Sequence, residues 1–293
     1  MDNLRDRYVN PLTDFGFKRL FGTEANKDLL IALLNELLPA HHRITDLTFT
    51  NSENLGLNTL ERRAIFDVTC TGANGERFIV ELQKAKQRFF KDRSLFYTSF
   101  PIQQQAVKNE WNFELQHVYT VGILDFVLED SAPDDIIHTI QLKDQHCRVF
   151  YDKLHLIYVE LPKFEKTAGE LVSDLDGWLY LLRHLPDLRD IPALFQLGVF
   201  PKVLEEAELS SMSREERMSY EESLKAHRDL QNVITTAKEE SFTEGRAEGR
   251  AEGRAEGRAE GRAELLKAMK AGGMSTADII SLTGATEDEV NAA

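Results

Sequence analysis

The spacing of apolar residues changes along the chain from a helical period to a strand period. Residues 14–38 have apolar positions at helical spacing, which predicts a pair of helices or one interrupted helix. Residues 64–70 and 77–83 are rich in β-branched and aromatic residues and alternate with a period of two. Because Asn74 and Gly75 form a turn sequence between them, these two segments predict a β-hairpin.

The pattern after the hairpin predicts a helix and then a mixture of strands and helices. The helix is expected at about residues 87–110, with Pro101 as a kink or break. The later elements are strands at 118–127, 136–142 and 154–161, and helices at about 168–185 and 190–209. A helix, a hairpin, a helix and further strands in this order indicate an α/β sandwich.

The composition changes at about Ser213, where good helix formers and many charges lead into a repeat. The repeat, residues 244–263, is five perfect copies of Glu-Gly-Arg-Ala, and a short tail follows it. We predict three parts: a domain at 1–210, a charged helix with the repeat at 211–264 and a small helical tail at 265–293.

The repeat is a weak helix when considered alone. Like charges would lie at i, i+4, and each glycine costs about 1 kcal/mol relative to alanine. Two packed copies could instead place glutamate against arginine and use the glycines for close approach. We therefore predict self-association through the C-terminal helix and repeat, with a semi-flexible linker as the alternative.

The composition narrows the class of protein. The chain has 293 residues, 42% of them hydrophobic, and no apolar run that could span a membrane. Its polar N-terminus is unlike a signal peptide, and two cysteines are too few for a disulfide framework, so a reducing cytosol is expected. The eight histidines show no metal-binding spacing, so the sequence gives zinc chemistry little support.

The distribution of charge matters more than its total. The net charge of −14 argues against a nucleic-acid-binding protein, but residues 1–118 are neutral overall and the excess acid lies after them. A basic run on the N-terminal side could follow a phosphate backbone or could be an ordinary solvated helix face. It consists of Lys84, Lys86, Arg88, Lys91 and Arg93.

The hairpin brings two carboxylates together. A two-residue turn would pair position 67 with 82, whereas a one-residue bulge would place Asp67 opposite Glu81. In either register their Cβ atoms lie about 5–8 Å apart. Such a pair is tolerable when it is protonated, solvated or bridged by a hard cation. Two solvent-facing acids on a strand are the plainer alternative, and Gln83 shares the face of Glu81.

The order of four motifs resembles a known family. Asp67 followed by Glu81-Leu82-Gln83 is similar to the D…(D/E)xK signature of restriction-endonuclease-like nucleases, with Gln83 in place of the usual lysine. The segment 11–22 resembles the opening D-x-x-F-K-x-x-F of the recombination-promoting nuclease/putative transposase family, the PD-(D/E)xK family transposases of bacteria. Residues 93–97 are similar to its R-x-x-x-Y. The resemblance covers about residues 8–240.

This resemblance implies a restriction-endonuclease-like α/β fold, with a mixed sheet flanked by helices, and a metal-dependent DNA endonuclease. The activity would be associated with recombination or mobile elements in the bacterial cytosol. Asp67 and Glu81 would be metal ligands with the main-chain carbonyl of Leu82, and Mg²⁺ or another divalent cation such as Mn²⁺ or Ca²⁺ would be the cofactor. Gln83 would orient a water but is no base near pH 7, which leaves the general base unassigned. A catalytically inactive DNA-binding or oligomerising scaffold on the same fold is the alternative.

Other residues of these motifs are weaker candidates. Arg93 and Tyr97 share a helical face, where they would contact phosphate or simply pack. Lys84 and Lys86 are candidate DNA contacts, although Lys84 should point to the face opposite Gln83. Asp14 and Lys18 are possible accessory site residues. The alternatives are a local salt bridge or a helix cap for Asp14.

Overall fold

The chain forms an α/β structure in which a mixed sheet lies between helices. A computed structural model describes residues 7–50, 53–54, 64–65, 67–106 and 112–293. Phe66, in the first predicted strand of the hairpin, lies outside these ranges. The chain divides into two compact units, Met1–Arg228 and Asp229–Ala293.

The main sheet contains six strands in the order β1-β4-β5-β6-β8-β7. β5 pairs parallel with β6, and β6 parallel with β8, whereas the remaining neighbours are antiparallel. Two very short strands, β2 and β3, pair separately. The described strands are β1 (Leu47–Phe49), β2 (Glu53–Asn54), β3 (Ala64–Ile65), β4 (Val68–Gly72), β5 (Arg77–Gln83), β6 (Val118–Leu124), β7 (Ile137–Lys143) and β8 (Val149–Glu160).

Helices of several lengths surround and follow the sheet, and short 3-10 turns connect some of them. No helix in the described ranges is both long enough and apolar enough to cross a membrane. The α-helices are α1 (Asp14–Phe21), α2 (Lys27–Leu37), α3 (Phe90–Gln103), α4 (Asp174–His184), α5 (Phe200–Ala207), α6 (Arg214–Ala271), α7 (Thr276–Thr283) and α8 (Glu287–Ala292).

The two faces of the sheet are covered differently. On one face, Phe78, Val80 and Leu82 of β5 join a large core with leucines of α2 and with Trp178 of α4. On the other face, Ile79 packs against α3 through aromatic side chains. Since side chains alternate along a strand, Glu81 and Gln83 share the α3 face with Ile79.

The predicted elements are present with several changes of boundary. The single strand expected at 64–70 is divided, because β3 pairs with β2 and only β4 joins the hairpin. The helix expected from residue 87 begins at Phe90, since Phe89 has a left-handed φ of 60°, which is incompatible with helix. Pro101 lies inside the last turn of α3 and does not divide it.

The first compact unit includes the beginning of α6. Tyr220 and Leu224 are buried in the main core, and the Tyr220 hydroxyl accepts a hydrogen bond from the amide of Asn10 at 3.0 Å. The domain boundaries near residues 210 and 264 stay predictions.

The second compact unit contains the repeat and a small core. The repeat lies within α6, with every side chain exposed, and the helix continues to Ala271. Beyond it, Leu266, Ile279 and Val290 pack together between the end of α6, α7 and α8. Arg262, in the last copy of the repeat, forms an exposed salt bridge with Glu289 at 3.1 Å.

Candidate active site on the hairpin

The hairpin has the bulged register. Val68 lies opposite Val80 and Cys70 opposite Phe78, so position 67 is level with Glu81. The amide of Gly72 donates to the carbonyl of Glu76 at 2.9 Å, which makes residues 73–75 a three-residue loop. Gly75 has a φ of 88°, a conformation that glycine adopts at no steric cost. The two-residue alternative is therefore wrong, because Gly75 supplies the left-handed residue of a longer loop.

The carboxylate of Asp67 is attached to the main chain of β5. Its Oδ2 accepts a hydrogen bond from the amide of Leu82 at 2.7 Å. The Leu82 amide is thus satisfied by a side chain, and the β4–β5 ladder ends at Val68. This contact holds Asp67 beside the segment Glu81-Leu82-Gln83 and accounts for the interruption of the predicted first strand.

Glu81 is a largely buried carboxyl group next to a second one. Burial, with the negative charge of Asp67 as the second cause, raises the pKa of Glu81 to about 7. Gln83 Nε2 donates to Glu81 Oε2 at 2.8 Å, and this bond and the positive charge of Arg93 act in the opposite direction. Glu81 therefore titrates near neutral pH.

The pKa of Asp67 is also raised. Burial raises the pKa of its carboxyl, and the charge of Asp14 adds to the increase. The Leu82 amide and the positive charges of Lys18 and Lys84 oppose it. Both acids of the hairpin are thus harder to ionise than usual, which is the condition that an added cation would relieve.

Glu160 differs from the two hairpin acids, because partners within the fold compensate its buried charge. It is completely buried, and burial acts to raise its pKa, but its partners outweigh this effect and lower the pKa. Lys163 forms a salt bridge with it at 2.7 Å, and the Leu128 amide and the Ser131 hydroxyl also donate to it. Asp67 and Glu81 form no salt bridge with any cation in the described ranges.

Asp14 and Lys18 lie near Asp67, but not as a local pair. Asp14 forms a salt bridge with Lys84 at 2.5 Å, across 70 positions of sequence. The cap of α1 is Thr13, whose hydroxyl accepts from the amide of Gly16. The alternative of a helix cap at Asp14 is therefore wrong, because the neighbouring Thr13 occupies that position. Lys84 pairs with Asp14 whereas Gln83 bonds Glu81, so the two side chains have different surroundings.

Arg93 and Tyr97 are adjacent on α3, as their spacing predicts. An Arg93 guanidinium nitrogen donates to the Tyr97 hydroxyl at 3.3 Å, and the guanidinium lies 5.4 Å from the centre of the Tyr97 ring. Tyr97 packs against Ile79 on the face of the sheet that Glu81 shares, and the charge of Arg93 lowers the pKa of Glu81. Their contact with phosphate stays a prediction.

The rest of the basic run is largely paired with acids. Lys86 lies 2.5 Å from Glu129, and Lys91 lies 3.4 Å from Asp130, both in exposed salt bridges. Surface pairs of this kind contribute about 0–1 kcal/mol, so a phosphate could displace these acids. The run is therefore less positive than its sequence indicates.

His227 lies near the site, although it belongs to none of the sequence motifs. It is buried on α6, and no described group hydrogen-bonds its Nδ1. Burial lowers its pKa, as do the charges of Lys84 and Arg228, whereas Asp14 opposes the change. The spacing of Tyr220, Leu224 and His227 on a predicted helix is the sequence signal that could have indicated this buried face.

Comparison with known families adds an independent observation. The family model described as PD-(D/E)XK nuclease family transposase matches residues 11–237. The chain belongs to this family. No curated protein and no solved structure matches the chain.

The site fits the divalent metal that PD-(D/E)XK nucleases generally use. Asp67 and Glu81 offer carboxylate oxygens, which are the ligands that hard cations prefer. Burial is the largest cause of both raised pKa values, and the charge of Asp67 adds to that of Glu81, so a bound cation would favour the ionised form of each acid. Gln83 bonds Glu81, so the side-chain donor beside this acid is a neutral amide.

Proposed function

We propose that this protein is a metal-dependent DNA endonuclease that hydrolyses phosphodiester bonds in recombination or in the movement of mobile elements. The observation that carries the proposal is the arrangement of Asp67 and Glu81. Asp67, directly before β4, lies level with Glu81 of β5. Both pKa values are raised, and the Leu82 amide holds Asp67 in place. Membership of the nuclease family supports DNA as the substrate.

In this proposal Asp67 and Glu81 hold Mg²⁺, or another divalent cation such as Mn²⁺ or Ca²⁺, together with the carbonyl of Leu82. A bound cation of this kind stabilises the charge that develops on a phosphodiester during cleavage. Gln83 keeps Glu81 oriented through its 2.8 Å bond. Its amide can also position a water, but it takes up no proton near neutral pH.

The surrounding cations would orient the DNA. Arg93, beside Glu81 on α3, would contact a phosphate, and the Tyr97 hydroxyl would hold the guanidinium in place. Lys86 would exchange Glu129 for a phosphate when DNA binds. Lys84 and Lys18 would act through their charges on Asp67, since both favour its ionised form.

A plasmid-cleavage assay with titrated Mg²⁺ or Mn²⁺ tests the proposal. The conservative variants are Asp67→Asn and Glu81→Gln, and Glu165→Gln is the matched control for an exposed acid outside the site. Loss of even an outer partner of a metal ligand costs about 10–100-fold, so each site variant should lose more than about 100-fold of the activity. Full activity in both site variants would refute the assignment of Asp67 and Glu81.

The neutral Gln83 and the paired lysines favour a second candidate function, a non-catalytic DNA-binding or oligomerising scaffold on the same fold. A scaffold would bind DNA more weakly as the salt concentration rises, and it would not cleave DNA with any divalent metal. The same assay, combined with a binding measurement at two salt concentrations, separates these candidates.

We also propose that the repeat supports self-association. Its side chains are all exposed along α6, and a Cβ atom added at any of its glycines would meet only open space. No described residue of the chain therefore packs against these glycines. The molar mass of the assembly in solution gives its number of protomers. This number should be larger for the full chain than for a chain that ends at residue 240. An equal number of protomers in both would favour a linker.

The proposed location is the bacterial cytosol. Cys70 and Cys147 are both free thiols, and Cys147 is exposed. An exposed thiol is typical of a reducing compartment.

A further inference from the structure

Three histidines that are distant in sequence meet at one place in the first compact unit. His42 lies in a 3-10 turn after α2, His117 precedes β6, and His155 lies on β8. Each offers one ring nitrogen, and the three nitrogens lie within 4.8 Å of one another. His155 is buried, and the other two are partly exposed, so the cluster can be reached from solvent.

The sheet register builds this cluster. Phe78, Tyr119 and His155 are direct neighbours on β5, β6 and β8, and their rings stack in sequence across the strands. His117 is two positions before Tyr119 and therefore shares its face. The 3-10 turn then brings His42 over the stack, where it hydrogen-bonds the Tyr119 hydroxyl.

The histidines are in the protonation state that metal binding requires. Burial lowers the pKa of all three imidazoles, and their mutual proximity lowers those of His42 and His155 further. They are therefore neutral at neutral pH, and a neutral imidazole is a metal ligand.

The hydrogen bond of His155 to the main chain is of the kind that metal-binding histidines make. His155 Nε2 lies 2.6 Å from the carbonyl oxygen of Asp152, to which its N–H can donate. Such a bond to a main-chain carbonyl fixes the tautomer and leaves the lone pair on Nδ1, where Gln141 Nε2 lies at 3.5 Å and a metal would take its place. The negative charge of Asp152 acts on all three imidazoles, so a cation would be favoured at this position.

We propose that His42, His117 and His155 form a binding site for a borderline transition-metal ion of the Zn²⁺ class. Three neutral imidazoles are a common protein ligand set for zinc, with a water in the fourth position. Zn–N bonds of about 2.0–2.1 Å require nitrogens about 3.4 Å apart, so the rings need only a small inward movement. Mg²⁺ prefers oxygen ligands and would not occupy the site.

The proposed zinc site is distinct from the nuclease site. Parallel pairing places Arg77 opposite Val118 at one end of β5 and β6, and Gln83 opposite Leu124 at the other end. His117 is at the first end, whereas Glu81 and Gln83 are at the second. The histidines also lie on the core face, and Glu81 lies on the α3 face.

A metal at this position would join parts of the chain that meet only through tertiary packing. It would connect the turn after α2 with β6 and β8. Since a ligand that binds the native state stabilises it, Zn²⁺ should raise the unfolding temperature. The site is thus a tether for the sheet end, independent of DNA cleavage.

The test uses the full chain, freed of metal by a chelator and carrying Asp67→Asn with Glu81→Gln to remove the competing carboxylates. Zn²⁺ should bind with one equivalent in calorimetric titration, and excess Mg²⁺ should not displace it. Co²⁺, used as a spectroscopic probe, should give the intense visible bands of a four- or five-coordinate imidazole site.

Matched single variants identify the ligands. His117→Gln and His42→Gln alter partly exposed residues, and His146→Gln removes an exposed histidine outside the cluster. Each cluster variant should weaken Zn²⁺ binding by more than about 100-fold and abolish the rise in unfolding temperature, whereas His146→Gln should change neither. Circular dichroism confirms that each variant is folded. Equal Zn²⁺ affinity in the cluster variants and the control, or the weak Co²⁺ spectrum of six oxygen ligands, would overturn the proposal.

Discussion

The main-chain amide of Leu82 donates a hydrogen bond to the side chain of Asp67 at 2.7 Å, where a regular hairpin would use a main-chain acceptor. The bond therefore has two consequences. It ends the β4–β5 ladder at Val68, and it fixes a carboxylate level with Glu81. The geometry of the candidate site and the interruption of the strand have one physical cause.

The Asp67–Leu82 bond predicts different stabilities for two substitutions. Asp67→Ala leaves the Leu82 amide without its acceptor, which costs about 1–3 kcal/mol. Asp67→Asn keeps an oxygen acceptor and removes a charge that Glu81 repels, so its free energy of unfolding should equal or exceed that of the wild type. Urea unfolding of metal-free protein measures both, and equal destabilisation by the two substitutions would contradict the role of the bond.

The raised pKa of Glu81 predicts how stability depends on pH without metal. The folded-state pKa of Glu81, about 7, lies above the ordinary value of 4.5. Protonated Glu81 therefore makes its full contribution to the free energy of unfolding below pH 4.5. It is lost as the pH rises through about 7, with a total of about 3 kcal/mol at most. Comparing wild type with Glu81→Gln from pH 4 to 8 isolates this effect. A stability difference that does not change with pH would disprove the buried titration.

Metal binding should show the opposite dependence on pH. Mg²⁺ requires ionised carboxylates, so below pH 7 its binding must release the proton of Glu81. Affinity should then increase by up to about tenfold per pH unit between pH 5.5 and 7 and level off above it. Calorimetry in buffers of different ionisation enthalpy counts the released protons. Binding without proton release at pH 6 would place the cation elsewhere.

Two substitutions of Gln83 should shift the pKa of Glu81 in opposite directions. Gln83→Leu removes the donor to Glu81 and should raise the pKa of Glu81, whereas Gln83→Lys adds a cation and should lower it. The pH midpoint of Mg²⁺ binding should move upward in the first variant and downward in the second. Shifts in the same direction would show that the Gln83–Glu81 bond does not control this titration.

The close approach of β6 and β8 predicts a sharp difference between two glycines. A Cβ at Gly122 would lie 2.9 Å from Cδ1 of Tyr158, whose hydroxyl is bonded to Ser94. Gly122→Ala should therefore destabilise the protein by about 1–3 kcal/mol. Gly249→Ala, in the repeat, meets open space and should raise helix content. Thermal unfolding and circular dichroism compare them, and equal stability of both variants would contradict the packing at Gly122.

The local pattern of residues determined much of the sheet and of the candidate site. The period of two assigned Phe78, Val80 and Leu82 to the core and Glu81 with Gln83 to the opposite face, as the structure has them. These predictions succeed because side-chain alternation and turn chemistry depend on residues close in sequence. The resemblance of the ordered motifs to the nuclease family was confirmed for residues 11–237.

Tertiary structure alone decided the features that depend on distant residues. The salt bridge of Lys84 with Asp14, the position of buried His227 and the meeting of His42 with His117 and His155 all join separate elements. Phe89 also delays the start of a predicted helix through a left-handed φ that its residue type does not predict. The physical reason is the same in each case. Strand order and helix docking set these contacts, and no periodicity within one segment records which other segment will pack against it.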